Sequence, residues 1–284
     1  MKKPLLFTTA VLTLSLAACT ETAEPAEGSK ETSSLSLEEV YSQAIEKNNE
    51  IESVKSSAVL NQTVTMGSED PVHTMSEIDM TIFNDPLVAH QINTTEMSGA
   101  AADEAASQSY TAESYMTEND FYMKDPTSGQ WLKLPAEMTE QLMAVNESQT
   151  NPASELQTLE TYLEDFSFEQ DDDSFILTLN ASGEKFSDML TEQAGQFLPE
   201  LEFGIPAETL FQNTTFEDVV YVITIDKETF YIESLDLDMT MNMEFAEQSL
   251  AIDQSLQSEY TDYNAIDELK VPQEVIDSAE EIDM

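Results

Sequence analysis

The sequence contains no arginine, a single cysteine and two histidines, and its ten cations, all lysine, stand against 57 acidic residues for a net charge of −47 at pH 7. Each scarcity excludes something. Nucleic-acid binding rests on cationic contacts to phosphate, so a chain with this balance is not built for it. The same balance keeps the body of the protein off anionic lipid, and attraction to a membrane must come from another source. The one cysteine, Cys19, permits no intramolecular disulfide, which leaves the fold to be held by its core. His73 and His90 stand apart in polar surroundings, and two isolated imidazoles do not make a metal site. No cofactor is expected. Beyond the first twenty residues no segment is apolar over the roughly 20 positions that a spanning helix needs.

The acidity has two readings. It can capture cations or a basic partner, or it can keep a folded domain soluble in a salty or alkaline exterior. The carboxylates are spread along the chain, which favours solvation. The one tight run, Asp171-Asp172-Asp173, lacks the alternating ligands, glycine and distal glutamate of a calcium loop, and reads as a turn between two apolar strands.

What is present at the N-terminus is a secretion signal: Lys2 and Lys3, an apolar stretch over residues 5–16 broken only by Thr and Ser, then small residues. The stretch is too short to span a bilayer. It ends in Leu16-Ala17-Ala18-Cys19, the pattern of a lipobox, in which the thiol is acylated and the chain is cut just before it. Ordinary cleavage after Ala18 fits poorly, because the third position upstream holds the bulky Leu16. Residues 20–34 contain no aliphatic side chain larger than alanine and no aromatic, so they read as a disordered acidic tether. As a flexible coil it would hold the domain roughly 20 Å from the membrane.

The remaining residues suffice for one sizeable core. Ser36-Leu37-Glu38-Glu39 has capping-box spacing, and Leu37, Val40, Tyr41, Ala44 and Ile45 follow helical periodicity, which predicts a helix over 37–49. The period then changes to two. Val54, Ala58, Leu60, Val64 and Met66 share one face of a strand, Ile78, Met80 and Ile82 repeat the alternation, and strands near 87–97 and 108–117 extend the meander. Phe121-Tyr122-Met123-Lys124 and Gln130-Trp131-Leu132-Lys133-Leu134 flank a turn with Pro126 and Gly129, a hairpin. Helical patterns follow near 136–147, 153–164 and 183–198. Val219, Tyr221, Ile223 and Ile225 alternate up to the turn Asp226-Lys227-Glu228-Thr229. Leu235, Leu237, Met239, Met241, Met243 and Phe245 then form an unbroken apolar face that Leu250, Ile252, Leu256 and Tyr260 continue. Three long strands wet on one side make an antiparallel sheet that helices must cover, those from 136 to 198 and a short one after Pro272, so the fold class is α+β.

No catalytic constellation emerges. Ser182-Gly183-Glu184-Lys185 has the Ser-x-x-Lys spacing of penicillin-recognising enzymes but lacks their companion motifs, and Ser182 reads as a helix cap. Carboxylate pairs are so abundant that a hydrolase using two of them is the weakest of three readings. The methionines say more. Met239, Met241 and Met243 alternate on one strand face, with Met66, Met75, Met80, Met116 and Met123 on other strands. Flexible, polarisable thioethers suit a surface that accepts apolar guests of varied shape, and they equally suit an ordinary core.

The lipobox, the hairpin Phe121-Tyr122-Met123-Lys124 to Gly129-Gln130-Trp131-Leu132-Lys133, the turn Asp226-Lys227-Glu228-Thr229 and the closing Tyr260-Thr261-Asp262-Tyr263-Asn264 with Val271-Pro272 carry a family likeness over residues 36–278. On these the chain resembles surface lipoproteins of Gram-positive bacteria whose role is unknown and, more distantly, LolA- and LppX-type carriers of lipoproteins and lipids. The resemblance implies a strongly curved antiparallel sheet, a half-barrel, wrapped around helices with an apolar cavity between. Soluble shuttling does not transfer to a tethered chain, nor does any step that relies on arginine.

The expectation is therefore a signal peptide over 1–18, a lipidated Cys19 with its tether over 19–35, and one α+β domain over 36–284. The function expected is that of a non-catalytic module on the outer face of the cytoplasmic membrane. It would bind a hydrophobic small molecule or lipid in a cavity lined by Leu237, Met239, Met241 and Met243. The alternative is an envelope protein whose acidic exterior meets wall material or another surface protein, its sheet interior being only core. The anchor is testable directly, since stable attachment takes two or more acyl chains. Cys19→Ala should leave a precursor that no longer incorporates labelled fatty acid; labelling that survives the substitution would remove the lipobox from the account.

Overall fold

The structure, a computed structural model, describes residues 22–26, 28–30, 32–99, 108–139, 151–181, 184–187, 189–190, 214–245 and 248–282. The periodicities of the sequence become elements in the places expected. Helix α1 is Leu37–Asn49, opened by a capping box in which the Glu39 amide donates to Ser36 Oγ (3.2 Å) and the Ser36 amide donates to the Glu39 carboxylate (2.9 Å). The strands are β1 (Glu24–Pro25), β2 (Ser53–Met66), β3 (Val72–Asn84), β4 (Leu87–Gly99), β5 (Gln108–Thr117), β6 (Phe121–Lys124) and β7 (Trp131–Lys133). Helix α2 (Ala153–Leu159) and a 3-10 turn (Glu160–Asp165) lead to β8 (Phe166–Gln170), β9 (Ser174–Asn180), β10 (Thr214–Asp226), β11 (Ile232–Phe245) and β12 (Gln248–Thr261). Helix α3 (Gln273–Ser278) and the short β13 (Glu280–Glu281) close the chain. Residues 136–139 and parts of 184–190 are helical; the rest of the helices expected over 136–147 and 183–198, with Ser182, lies outside the described residues.

All the strands join one sheet in the order β1-β8-β9-β10-β11-β12-β2-β3-β4-β5-β6-β7-β13, antiparallel except at its two edges. It is large, curved and unclosed, with few helices, as the α+β reading requires. Two meanders compose it, β2 to β7 and β8 to β12, and a single long pairing of β12 with β2 joins them, from Leu250 opposite Met66 to Thr261 opposite Lys55. The end of that seam is clamped by the segment read as a family motif. The Asn264 carboxamide accepts from the Glu52 amide (2.7 Å) and donates to the Tyr231 hydroxyl (2.9 Å), its backbone amide donates to Ser53 O (2.8 Å), and Lys55 pairs with Asp262 (2.6 Å). Asn264 sits at φ +54°, a conformation asparagine tolerates better than most residues.

Helices α1 and α2 lie against β8 to β12 on one face of the sheet, called inner below. Val40, Tyr41 and Ala44 meet Leu156 and Leu159 over the fully buried row Phe175, Leu177, Leu179, Tyr221, Ile223 and Ile225. The Tyr41 hydroxyl donates to Leu156 O (2.6 Å), and the buried Asn48 amide donates to Ala44 O and to Phe230 O, fixing the end of α1 to the β10–β11 turn. A β-bulge after Glu217, with Asp218 at φ +52°, lets both Phe216 and Val219 face this core.

Two expectations need correction. Helix α3, expected to cover the inner face, packs on the outer one, where Val275 is buried with Tyr115 and Tyr122 beside Trp131. The cause is that β5 and β6 set Tyr115 and Tyr122 opposite each other on the outer side, where two aromatic rings need cover. The segment over 20–34, expected as a free tether, is laid along the sheet edge over its described part. Glu24 and Pro25 pair in parallel with Glu169 and Gln170, Thr22 bridges to Ser36, and Ala23 is buried. Backbone hydrogen bonding to an edge strand needs no apolar side chain, and proline is tolerated there.

Two stability predictions follow from these contacts. Asn264→Ala removes the clamp and places alanine at positive φ, and should lower the urea midpoint with unchanged m by the equivalent of about 1–2 kcal/mol. Burial first, and then the charges of Glu155 and Glu160, raise the Tyr41 phenol well above its ordinary value of 10.0. A raised acid supplies stability that is complete below pH 10 and is lost as the pH climbs above it. Tyr41→Phe should therefore cost about 1 kcal/mol at neutral pH yet flatten the alkaline fall in stability; parallel alkaline curves for the two proteins would contradict this.

Candidate functional site

Residues opposite one another in neighbouring strands share a face, so the register specifies the floor that the sheet offers inside its curve. One rung runs Leu237, Leu256, Leu60, Ser76, Thr95, Tyr110 across β11, β12, β2, β3, β4 and β5. The next runs Met239, Gln254, Gln62, Thr74, Met97, and a third Met241, Ile252, Val64, Val72. On the other side lie the rungs Leu235, Ser258, Ala58, Ile78, Asn93 and Tyr260, Ser56, Met80, Gln91, Ser114. Among these positions no aspartate, glutamate, lysine or histidine occurs, in a chain of net charge −47. The charges of the same strands are on the outer face: Lys55, Asp79, Glu96, Asp236, Asp238, Asp253 and Glu259. Among them, burial and then the charges of Asp238 and Glu259 raise the Asp236 carboxyl.

The floor changes character from one side to the other. At β11 it is apolar and closed: Met241 and Met243, 4% and 2% exposed, belong to the helix-covered core, and Leu237 and Met239 are partly buried at its margin. The four residues expected to line a cavity thus share one face, two within the core and two at its border. Further across, Leu256, Leu60 and Ile78 are half-buried, and Met66 and Tyr110 reach 36% and 47% exposure. Hydrogen bonding there is by neutral groups. Gln62 Nε2 donates to Gln254 Oε1 (3.4 Å), and the buried hydroxyls of Ser76 and Thr95 meet at 2.9 Å, with Thr95 also donating to Asn93 Oδ1. Burial pushes the Tyr260 phenol up to about 12, with Glu155 adding to the rise, so it is neutral at ordinary pH where it joins the two apolar clusters of the floor.

Of the methionines that the sequence puts on other strands, the register brings Met66, Met80, Met116 and Met123 to the same face as Met239, Met241 and Met243 and turns Met75 outward; Met97 is a further inward one. The glutamine pair was missed. Its signal was available, a polar residue interrupting an apolar alternation in both β2 and β12, but its meaning depends on register between segments 192 residues apart. Cys19 lies outside the described residues.

The outer face carries one concentrated polar network. His90 stacks on Tyr115 (4.3 Å between ring centroids) and its Nε2 is 3.2 Å from Glu113 Oε1, while Lys124 Nζ is 3.0 Å from Glu113 Oε2 and 5.6 Å from the Trp131 ring centre. Burial draws the Glu113 carboxyl upward, but the hydrogen bonds from Lys124 and His90 outweigh it and hold it below the usual range. Lys124 and His90 both have Glu113 as partner, so the network reads as the seat of α3.

No match was found among curated proteins. Among solved structures the chain is distantly similar to a LolA superfamily protein from Nitrosomonas europaea, at 9% identity and a TM-score of 0.19 over 85% of this chain and 97% of that one. It is similar also to an S-type phycobiliprotein lyase from Guillardia theta, at 9% identity and a TM-score of 0.19 over 80% and 94% of the two chains. A beta-barrel-like protein of a domain of unknown function from Brucella abortus shows 9% identity and a TM-score of 0.18 over 75% and 99%. Scores this low leave the fold class resting on the register of this chain's own strands. Residues 36–280 match the family model DUF6612, and the chain belongs to that family of unknown function.

Proposed function

We propose that the protein is a non-catalytic binding module, held on the outer face of the cytoplasmic membrane by acyl chains on Cys19, that seats an apolar or amphiphilic ligand against the inner face of its sheet. The observation that carries this reading is the absence of aspartate, glutamate, lysine and histidine from the inner-face rungs of β11, β12 and β2 to β5, in a chain otherwise crowded with carboxylates. A face that served only to be wetted would tolerate charge; one that meets an apolar guest would not. Leu256, Leu60 and Ile78 supply apolar surface, the row of methionines supplies adaptable packing, and Gln62 with Gln254 supplies neutral hydrogen bonding for a polar end group. Without a cation on the described rungs of this face, a ligand with a neutral head is favoured over a carboxylate.

A second reading, an envelope interaction protein whose inner face is only core, is favoured by the closure of Met241 and Met243 beneath the helices. Titration of the folded domain, without its signal, with a neutral fluorescent acylglycerol separates the two. Saturable binding is expected, weaker by about tenfold or more in Ile78→Asp, where a carboxylate must be desolvated beneath the guest. Gln257→Asp, on the outer face of β12, should bind as the wild type does. Absence of saturable binding by the wild-type domain would leave the interaction protein as the function.

A further inference from the structure

We infer that the β1–β8 edge is the membrane-facing surface of the domain, held there by a leash that is docked rather than loose. This rests on the lipid anchor at Cys19. The segment following that cysteine engages the fold almost at once. Thr22 bridges to Ser36, Ala23 is 6% exposed within the main core, and Glu24 and Pro25 run along β8. The grip comes from one residue remote in sequence. Gln170 is 1% exposed, and its side-chain Nε2 donates to Ala23 O (3.0 Å) and to Ser33 O (3.2 Å), while its Oε1 accepts from the Ser33 amide (2.7 Å). Its backbone carbonyl accepts from the Ala26 amide (2.7 Å) and from Ser29 Oγ (3.2 Å). A buried glutamine thus has both ends of its amide committed to the leash, which is an expensive arrangement to break because each group would be left unpaired.

The length of free chain then determines what lies next to this edge. Only the step from Cys19 to Thr22 separates an acylated cysteine from the docked strand, a reach of about 10 Å in extended chain. An undocked coil running to Ser33 would average about 20 Å and stretch to about 50 Å. The partner at the edge is the lipid headgroup layer. Glu24, Glu169, Asp171 and Asp172 make the edge acidic, so charge does not hold it against anionic lipid and the docked chain must.

Two measurements test the leash independently of native acylation. In the unlipidated domain beginning at Cys19, hydrogen exchange at Ala26 should be slowed, and Gln170→Ala should speed it by about tenfold or more. Ser33→Pro removes a donor from the leash without touching β8, and should do the same if Gln170→Ala disturbs the sheet. With Cys19, the sole thiol, coupled to a maleimide phospholipid in a supported bilayer, neutron reflectometry should find a water gap near 10 Å that widens towards 20 Å in either variant. Exchange at Ala26 at the rate of an unstructured chain, or equal gaps in wild type and variants, would overturn the docked leash. A docked leash on a protein that carries no acyl chain in cells would instead overturn the anchor, and the membrane-facing assignment with it.

Discussion

The pairing of β12 with β2 is the contact on which the other parts of the molecule depend. Each meander is held locally by turns of the same design, in which an aspartate carboxylate accepts backbone amides two and three residues on: Asp125, Asp171 and Asp226. Such hairpins form early and cheaply. The seam between them is different. It joins strands from opposite ends of the domain, so no tight turn holds it, and its end carries a clamp of its own at Asp262 and Asn264. Helix α1 reinforces the same joint, since it precedes β2 in the chain but packs on β9 and β10.

Across that seam the sheet solves an electrostatic problem. A net charge of −47 is compatible with a core only if every carboxylate can be turned to water, and a strand allows this through its period of two. Fourteen-residue strands such as β2, β11 and β12 extend the separation over a wide area, leaving an inner floor that is neutral from edge to edge. The same neutrality is what lets its β11 side, with Met241 and Met243, close into the main core.

The edges of the sheet are both capped by segments from the ends of the domain, β1 beside β8 and β13 beside β7. Unpaired strand edges invite association with other chains, and short parallel caps remove that hazard without adding apolar surface. At the β8 edge the cap belongs to the segment that follows Cys19, so one short stretch of chain both protects the edge and fixes the start of the domain to the sheet.

Local chemistry determined by itself the faces of the strands, the capped start of α1 at Ser36 and the aspartate turns, because each depends on residues within a few positions of one another. It determined as well the apolar row from Leu237 to Met243, and it carries the expectation of a lipobox at Cys19. Tertiary structure alone decided which strands became neighbours, and with that the meaning of Gln62 and Gln254, polar interruptions in two separate alternations until the seam sets them opposite each other. It decided also that Gln170 would dock a segment with no apolar side chain larger than alanine and proline, and that α3 would cover Tyr115 and Tyr122 on the outer side. The physical reason is common to all three: a side chain's local pattern states which way it points, whereas its partner is chosen by a pairing between distant stretches of chain whose backbone groups are chemically identical everywhere.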